Sequence, residues 1–202
     1  MSRWGTEGPP PEAYSRVTDP ERFRPLHNVA LRLLEQLEAS FNVERFEGYG
    51  LDNELEVGDL ERPTVRLVPR EQKAAPLAIA FTTFPGLRVR VGRWLTDGFP
   101  QCGCDACDET ADDEAIRLGS LVDALTAGCV REGVSLPPAG TGWQESEYWL
   151  ESEYWLPDGR RYSSRSSVDQ AVARELLIGR ENSSLEWLPW PPRQPTSEQV
   201  PG

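Results

Sequence analysis

A run of three cysteines constrains this chain more than any other sequence feature. Cys102, Cys104 and Cys107 lie in the segment 99–109, which reads Phe-Pro-Gln-Cys-Gly-Cys-Asp-Ala-Cys-Asp-Glu. The chain has only 4 cysteines in 202 residues, so their clustering points to a shared role. Cysteine thiolates are preferred ligands of zinc, and the C-x-x-C spacing of Cys104 and Cys107 lets two sulfurs reach one ion. The sequence therefore predicts a metal-binding loop, with zinc as the expected cofactor.

The fourth ligand that a tetrahedral zinc site needs is left open by the sequence. His27 is the single histidine and lies at the edge of an apolar helical face, so it is a candidate ligand, although a boundary residue is the simpler interpretation. Cys129 is less suitable, because the apolar stripe that leads to it predicts a helix roughly 28 Å long at ~1.5 Å per residue. The local oxygen alternatives are Asp105, Asp108 and Glu109.

Redox or nucleophilic thiol chemistry is the alternative interpretation of the same loop. A C-x-x-C pair that opens a helix can have a lowered thiol pKa. The six acidic residues between positions 105 and 114 oppose this, because negative neighbours disfavour a thiolate. A bound cation would tolerate the same neighbours. These considerations favour a metal site, without excluding unmodified thiols.

The charge balance bears on the partners that the chain can have. The sequence contains 33 acidic and 21 basic residues and has a formal net charge of −12. General nucleic-acid binding needs a basic footprint, which this composition lacks. An acidic chain of this size suits solubility or a basic protein partner. We therefore expect no nucleic acid, and an unknown protein partner.

Targeting signals are not found in the sequence. Three prolines follow the first eight residues where a secretory signal would have its apolar stretch. No apolar run reaches the roughly 18 residues that a membrane-spanning helix requires. We expect a cytoplasmic protein, in which thiols stay reduced and metal binding is favoured over a disulfide.

The order of the predicted elements indicates the α+β class, with an antiparallel sheet and about three helices packed on one face. We expect a flexible N-terminus over 1–16, a single domain over 17–192 and a disordered tail over 193–202. Capping boxes predict helices that start near Thr18 and Ser167. The predicted helices cover about 18–40, 110–132 and 167–179; the predicted strands cover about 43–49, 64–68, 77–84, 87–94, 145–156 and 160–165.

A direct repeat stands out in the second half of the chain. The hexapeptide Glu-Ser-Glu-Tyr-Trp-Leu occurs at 145–150 and again at 151–156. Side chains alternate along a strand with period two, so an even-numbered repeat keeps both copies in phase. Ser, Tyr and Leu then share one face, and Glu, Glu and Trp share the other. A turn at 157–159 would return the chain as a partner strand with cross-strand Glu–Arg pairs.

Three segments carry a resemblance to a known family: the cysteine run 99–109, Thr-Asp-Pro-Glu-Arg-Phe at 18–23, and Tyr-Trp-Leu-Pro-Asp-Gly-Arg-Arg at 154–161. Together they resemble an uncharacterised family of actinobacterial proteins, a domain of unknown function, from about Val17 to Pro192. The resemblance implies a bacterial cytosolic protein and supplies no activity or catalytic residues. The doubled hexapeptide departs from the single copy expected.

The sequence contains no Walker loop, Rossmann fingerprint, H-E-x-x-H or G-x-S-x-G motif. We therefore expect a non-enzymatic binding or regulatory module with a structural metal loop and assign no catalytic residue. Two other hypotheses stay open. One is a metal- or thiol-dependent enzyme that acts at the cysteine loop; the other is an acidic immunity-type protein that neutralises a basic partner.

Overall fold

The computed structural model describes residues 4–135, 147–177 and 183–194. Over these residues the chain forms three α-helices and two antiparallel sheets, which confirms the α+β class. The prediction had one sheet, whereas the structure has one of five strands (β1-β2-β3-β4-β5) and one of four (β8-β7-β6-β9). The strands are β1 (Val43–Gly48), β2 (Leu60–Pro69), β3 (Leu77–Thr82), β4 (Gly86–Val91), β5 (Leu95–Phe99), β6 (Val130–Ser135), β7 (Glu147–Trp155), β8 (Arg161–Asp169) and β9 (Ser183–Glu186). The helices are α1 (Pro25–Ser40), α2 (Ala111–Thr126) and α3 (Gln170–Leu177), and two short 3₁₀ helices, Pro11–Ser15 and Pro20–Phe23, precede α1.

The five-stranded sheet is a meander whose central strand, β3, is covered on both faces. The odd-numbered residues of β3 join the main core, which α1 and α2 also line. Ala78 and Ala80 point the other way and pack with Leu55. Burial on both faces explains why this strand is a continuous apolar run rather than an alternating one. The predicted hairpin between β3 and β4 is confirmed, with Thr82 opposite Gly86.

The four-stranded sheet contains the duplicated hexapeptide, whose described part forms β7; residues 145 and 146 lie outside the described ranges. Glu151 pairs with Arg165 of β8 at 2.8 Å, and Glu153 pairs with Arg161 at 3.1 Å. The even-numbered residues turn inward, and the most buried of them are Ser152, Tyr154 and Leu156. The predicted hairpin and its two faces are therefore confirmed. Helix α3 packs on this sheet and α1 packs on the other, whereas α2 contacts β7 and also lines the main core, so the three helices do not share one face.

The second helix is shorter than predicted. Helix α2 ends at Thr126, and the chain continues as β6 from Val130. The N–H of Gly128 donates to the carbonyl of Leu125 at 3.0 Å, and the N–H of Cys129 donates to the carbonyl of Ala124 at 2.8 Å. This is the pairing of a helix that ends at a left-handed glycine, and Gly128 has φ +72°. The periodicity predicted a longer helix because the buried residues of β6 continue the apolar stripe past the end of α2.

Two predicted helix starts are wrong for related reasons. Thr18 caps no helix, because its backbone N–H and hydroxyl donate to the carboxylate of Asp105, far along the chain. Helix α1 begins instead at Pro25, whose missing N–H suits a first helical position. Ser167 is part of β8, and the first turn of α3 is capped by Asp169, which accepts the N–H two residues on at 2.7 Å.

The C-terminal part of the described chain runs extended over the core. Trp187 and Trp190 are both buried, and the Trp190 indole N–H donates to the carbonyl of Ala75 at 2.8 Å. Phe41, at the end of α1, forms an isolated bridge with Pro192. These contacts attach the last described residues to the first sheet.

A buried carboxylate joins the two sheets. Glu132 of β6 is 1% exposed. Its two oxygens accept the backbone N–H groups of Arg93, Trp94 and Leu95, at 2.9–3.1 Å, in the turn between β4 and β5. They also accept the indole N–H of Trp187 at 2.9 Å. Four donors from two other segments thus converge on one side chain of the second sheet.

Replacement of Glu132 by alanine should therefore destabilise the whole fold. A buried donor left without an acceptor costs ~1–3 kcal/mol, so we expect Glu132→Ala to lower the free energy of unfolding by at least ~3 kcal/mol. Urea denaturation checks this, with the exposed Glu35→Gln as a control that should stay within about 0.5 kcal/mol of wild type. A Glu132→Ala protein as stable as the control would show that the sheets are held together by other contacts.

Candidate metal centre

The cysteine loop connects the end of β5 to the start of α2. It enters through the cis peptide bond between Phe99 and Pro100. It leaves through Thr110, whose side chain accepts the N–H of Asp113 at 3.1 Å and so caps α2. Both ends of the loop are therefore fixed by regular structure, and residues 101–109 form a tight excursion between them.

The three cysteines predicted as ligands are brought together. The Sγ atoms of Cys102 and Cys104 are 3.3 Å apart, and those of Cys104 and Cys107 are 3.5 Å apart. All three sulfurs lie within 4.8 Å of one another. Cys104 is buried, Cys102 is half-buried and Cys107 is exposed, so the cluster is open to solvent on the Cys107 side. Such a group of sulfurs can hold one metal ion.

The hydrogen bonds of the loop distinguish the three thiols. Donation from the Cys102 thiol and then from the Cys107 backbone N–H lowers the pKa of Cys104. The pKa of Cys107 is raised to about 12 by its hydrogen bonds with the thiols of Cys102 and Cys104. The Cys107 thiol therefore holds its proton more firmly than the Cys104 thiol. A metal bound by all the sulfurs must displace the thiol protons, which makes binding depend on pH.

Asp105 fixes the centre of the loop and is not available as a ligand. Its side chain is buried and accepts hydrogen bonds from the N–H and the hydroxyl of Thr18. The guanidinium of Arg22 lies 3.7 Å from the same carboxylate. Arg22 also donates to the carbonyls of Gly103 and Cys104, at 3.0 and 3.4 Å. The residues 18–23 that were predicted to start a helix are therefore the support of the cysteine loop.

The N-terminal residues add further support. The backbone N–H of Asp105 donates to the carbonyl of Arg16 at 2.8 Å, and that of Ala106 donates to the carbonyl of Ala13 at 3.2 Å. Ala13 also packs in a small apolar cluster with Cys104 and Ala106, which Trp4 and Cys102 flank. No pattern in the sequence predicted these contacts, because they join polypeptide segments about ninety residues apart. The division into segments 1–16, 17–192 and 193–202 stays a prediction.

Gly103 is required by a close approach rather than by unusual backbone angles. A Cβ atom at this position would lie 2.5 Å from the ring of Phe84. Phe84 in turn packs beside Phe23, with ring centroids 6.3 Å apart. The glycine between Cys102 and Cys104 thus lets the turn of the β3–β4 hairpin cover the loop.

Glu109 and Asp108 are the other two local carboxylates that the sequence offers as ligands. Glu109 accepts the backbone N–H of Cys102 at 3.0 Å, and burial raises its pKa. Asp108 has a left-handed backbone, with φ +54°, directly after the last cysteine. Glu109 is therefore joined by a hydrogen bond to the backbone of a cysteine of the cluster.

His27 is buried away from this group of sulfurs, which comprises Cys102, Cys104 and Cys107 among the described residues. Its Nε2 is 2.9 Å from the carbonyl of Gly86, so that nitrogen carries the proton and donates. Its Nδ1 lies 3.7 Å from a carboxylate oxygen of Glu61, and its ring packs edge-on against Phe81. Burial lowers the pKa of His27. Through these contacts His27 packs against the β3–β4 hairpin and supports its turn.

Comparison with known proteins adds one finding. A model for the family of unknown function DUF6226 matches residues 1–194. The chain belongs to this family. It has no significant match among curated proteins or solved structures. No α-helix among the residues that the structure describes is long and apolar enough to cross a membrane.

Weakening the support of the loop should weaken metal binding. Replacement of Asp105 by asparagine removes the charge that pairs with Arg22 and one acceptor for Thr18, so the sulfurs lose their fixed spacing. Changes to residues that orient ligands commonly reduce metal affinity by about 10–100-fold, and we expect a loss in this range. Competition with a chromogenic zinc chelator measures it, with the exposed Asp112→Asn as the charge-matched control. Equal affinities of the two variants would mean that Asp105 does not position the loop.

His27 should make stability depend on pH without contributing to metal binding. Its pKa is lower in the folded chain than its ordinary value of 6.5, so the unfolded chain takes up the proton first as the pH falls. Wild-type stability should therefore decrease below about pH 6.5. His27→Gln should cost ~1–3 kcal/mol at pH 8, and this difference should shrink toward pH 5. Thermal unfolding across this range and zinc analysis check both points; a loss of zinc from His27→Gln would make the histidine a ligand after all.

Proposed function

We propose that this protein is a non-enzymatic binding or regulatory module in which the cysteine loop binds one zinc ion as a structural staple. The convergence of three sulfurs within 4.8 Å, on a loop fixed at both ends and at Asp105, is the observation that carries the proposal. Zinc is favoured because thiolates suit it and because zinc itself undergoes no redox change. A cytoplasmic setting, in which thiols stay reduced, fits the same proposal.

The electrostatics of the loop support a closed, structural site. Three thiolates already exceed the charge of a divalent ion, so the bound metal would be a weak Lewis acid. Arg22, through its contacts with the loop carbonyls, supplies a compensating positive charge. We infer that Glu109 completes the coordination: its carboxylate accepts the backbone N–H of Cys102, and it would turn toward the sulfurs on metal binding, because it lies outside the group of ligand atoms within 4.8 Å of one another. A site with four protein ligands has no open water position for hydrolysis.

The metal would contribute directly to stability. It would join the end of β5, the start of α2 and, through Asp105, the segment that precedes α1. Since a preformed site does not exist in the unfolded chain, the free energy of metal binding adds to the free energy of folding. The staple therefore strengthens a part of the fold that otherwise depends on hydrogen bonds between distant segments.

Metal analysis tests the proposal. Protein purified without chelator should contain about one zinc per chain, and Cys104→Ser should lose the metal and unfold at a lower temperature. Cys129→Ser is the control for loss of a thiol, because Cys129 is half-buried and lies outside the cluster. Wild type stripped of metal should melt at the same temperature as Cys104→Ser within a few degrees. An unchanged melting temperature after metal removal would show that the metal does not stabilise the fold and would refute the proposal.

Cobalt substitution separates the closed site from the enzyme alternative. The absorption spectrum of the cobalt form should show tetrahedral thiolate bands that do not change with added anions or between pH 6 and 8. A spectrum that titrates near neutral pH would reveal a metal-bound water and favour a hydrolytic centre. Glu109→Gln should alter the spectrum if this carboxylate is the fourth ligand.

A further inference from the structure

A second polar site lies beside the cysteine loop and uses none of its sulfurs. It is a cleft of about 310 Å³ between the end of the first sheet, α2 and the β7–β8 hairpin. This volume is at the small end of the range for ligand pockets. The side chains that give it chemical character are Asp97, Arg117, Tyr154 and Tyr162.

The charged side chains that line this cleft are Asp97 and Arg117, and Arg117 also contacts a carboxylate outside it. Arg117 forms an ion pair with Asp97 and a second with Glu114, the latter at 2.6 Å. Two carboxylates therefore share one guanidinium. Arg117 also donates to the carbonyl of Gly98 and lies 3.9 Å from the ring centroid of Phe99. Because these contacts use its donors, Arg117 is not free to bind an anion from solution.

Asp97 retains capacity for a further donor. The N–H of Gly98 donates to one of its oxygens at 2.8 Å, and Arg117 contacts the other. A carboxylate offers about four acceptor positions, so two stay open. Burial raises the pKa of Asp97 in spite of the neighbouring Arg117, because desolvation disfavours the charged form. A cation that enters the cleft would use the open acceptor positions of this carboxylate.

The opposite wall of the cleft is aromatic. The rings of Tyr154 and Tyr162 stack with centroids 4.8 Å apart and planes at 11°. Tyr162 is 38% exposed, and its hydroxyl lies 3.4 Å from Arg160, whose charge is already paired with Asp158 at 2.7 Å. Flat cations favour aromatic faces, and a guanidinium combines this stacking with two parallel hydrogen bonds to a carboxylate.

We propose that the cleft between Asp97 and the Tyr154–Tyr162 stack binds a guanidinium group, carried either by a small molecule or by an arginine side chain of a partner protein. The planar group would stack beside Tyr162 and donate to the open positions of Asp97. The cleft would be the place at which this acidic protein makes a specific contact with a basic ligand.

Titration by NMR or calorimetry with N-acetyl-arginine amide tests this proposal. N-acetyl-citrulline amide, which has the same shape and no charge, should bind at least tenfold more weakly. Asp97→Asn should reduce affinity for the arginine compound at least tenfold, whereas the exposed Asp123→Asn, which removes the same charge, should leave it within twofold. Tyr162→Ala, a change at an exposed position, should weaken binding about threefold and serves as the test if Asp97→Asn does not fold.

A ten-residue neutral peptide with one central arginine distinguishes the two sources. Binding at least tenfold tighter than that of the single amino acid would assign the site to a partner's side chain, and equal binding would assign it to a small molecule. Equal affinity for the arginine and citrulline compounds, or arginine binding that neither Asp97→Asn nor Tyr162→Ala weakens, would overturn the proposal.

Discussion

The two sheets of this protein depend on one buried carboxylate. Glu132 projects from β6 into a turn of the other sheet and accepts hydrogen bonds from four N–H groups. A polar group so buried is tolerated only when its acceptor positions are used, and here the donors come mostly from backbone N–H groups. The same contacts hold Trp187 and therefore the C-terminal segment. The relative placement of β4, β5, β6 and β9 follows from this interaction.

Asp105 plays the corresponding role for the cysteine loop. Its carboxylate is held by Thr18 and Arg22, and its backbone N–H by Arg16, so the residues that precede α1 determine where the three sulfurs lie. A short loop with three cysteines would otherwise have many conformations, and their loss on metal binding would reduce affinity. The supporting contacts therefore hold the three sulfurs together as a preorganised cluster.

The two candidate sites are neighbours with different chemistry. The cysteine cluster offers soft sulfur ligands, whereas the adjacent cleft offers oxygen atoms and aromatic faces. Both depend on the end of β5: Phe99 begins the cysteine loop and also lies beneath the guanidinium of Arg117. A metal that stiffens the loop would also fix one wall of the cleft through Gln101.

The sequence by itself determined the α+β class, the β3–β4 hairpin, the pairing of the duplicated strand with its arginine-bearing partner, and the cysteines that form the cluster. These features depend on contacts between residues close in the chain, which periodicity and spacing report. Only the tertiary structure decided the end of α2, the role of Thr18, the position of His27 and the hydrogen bonds that Glu132 accepts. The end of α2 was missed because the buried residues of β6 continue the apolar stripe beyond the left-handed Gly128. The other three depend on a partner distant in sequence: Asp105 accepts hydrogen bonds from Thr18, Gly86 accepts one from His27, and the β4–β5 turn surrounds Glu132. A local pattern carries no information about such partners, because the free energy of a buried polar group is set by whatever the fold brings against it.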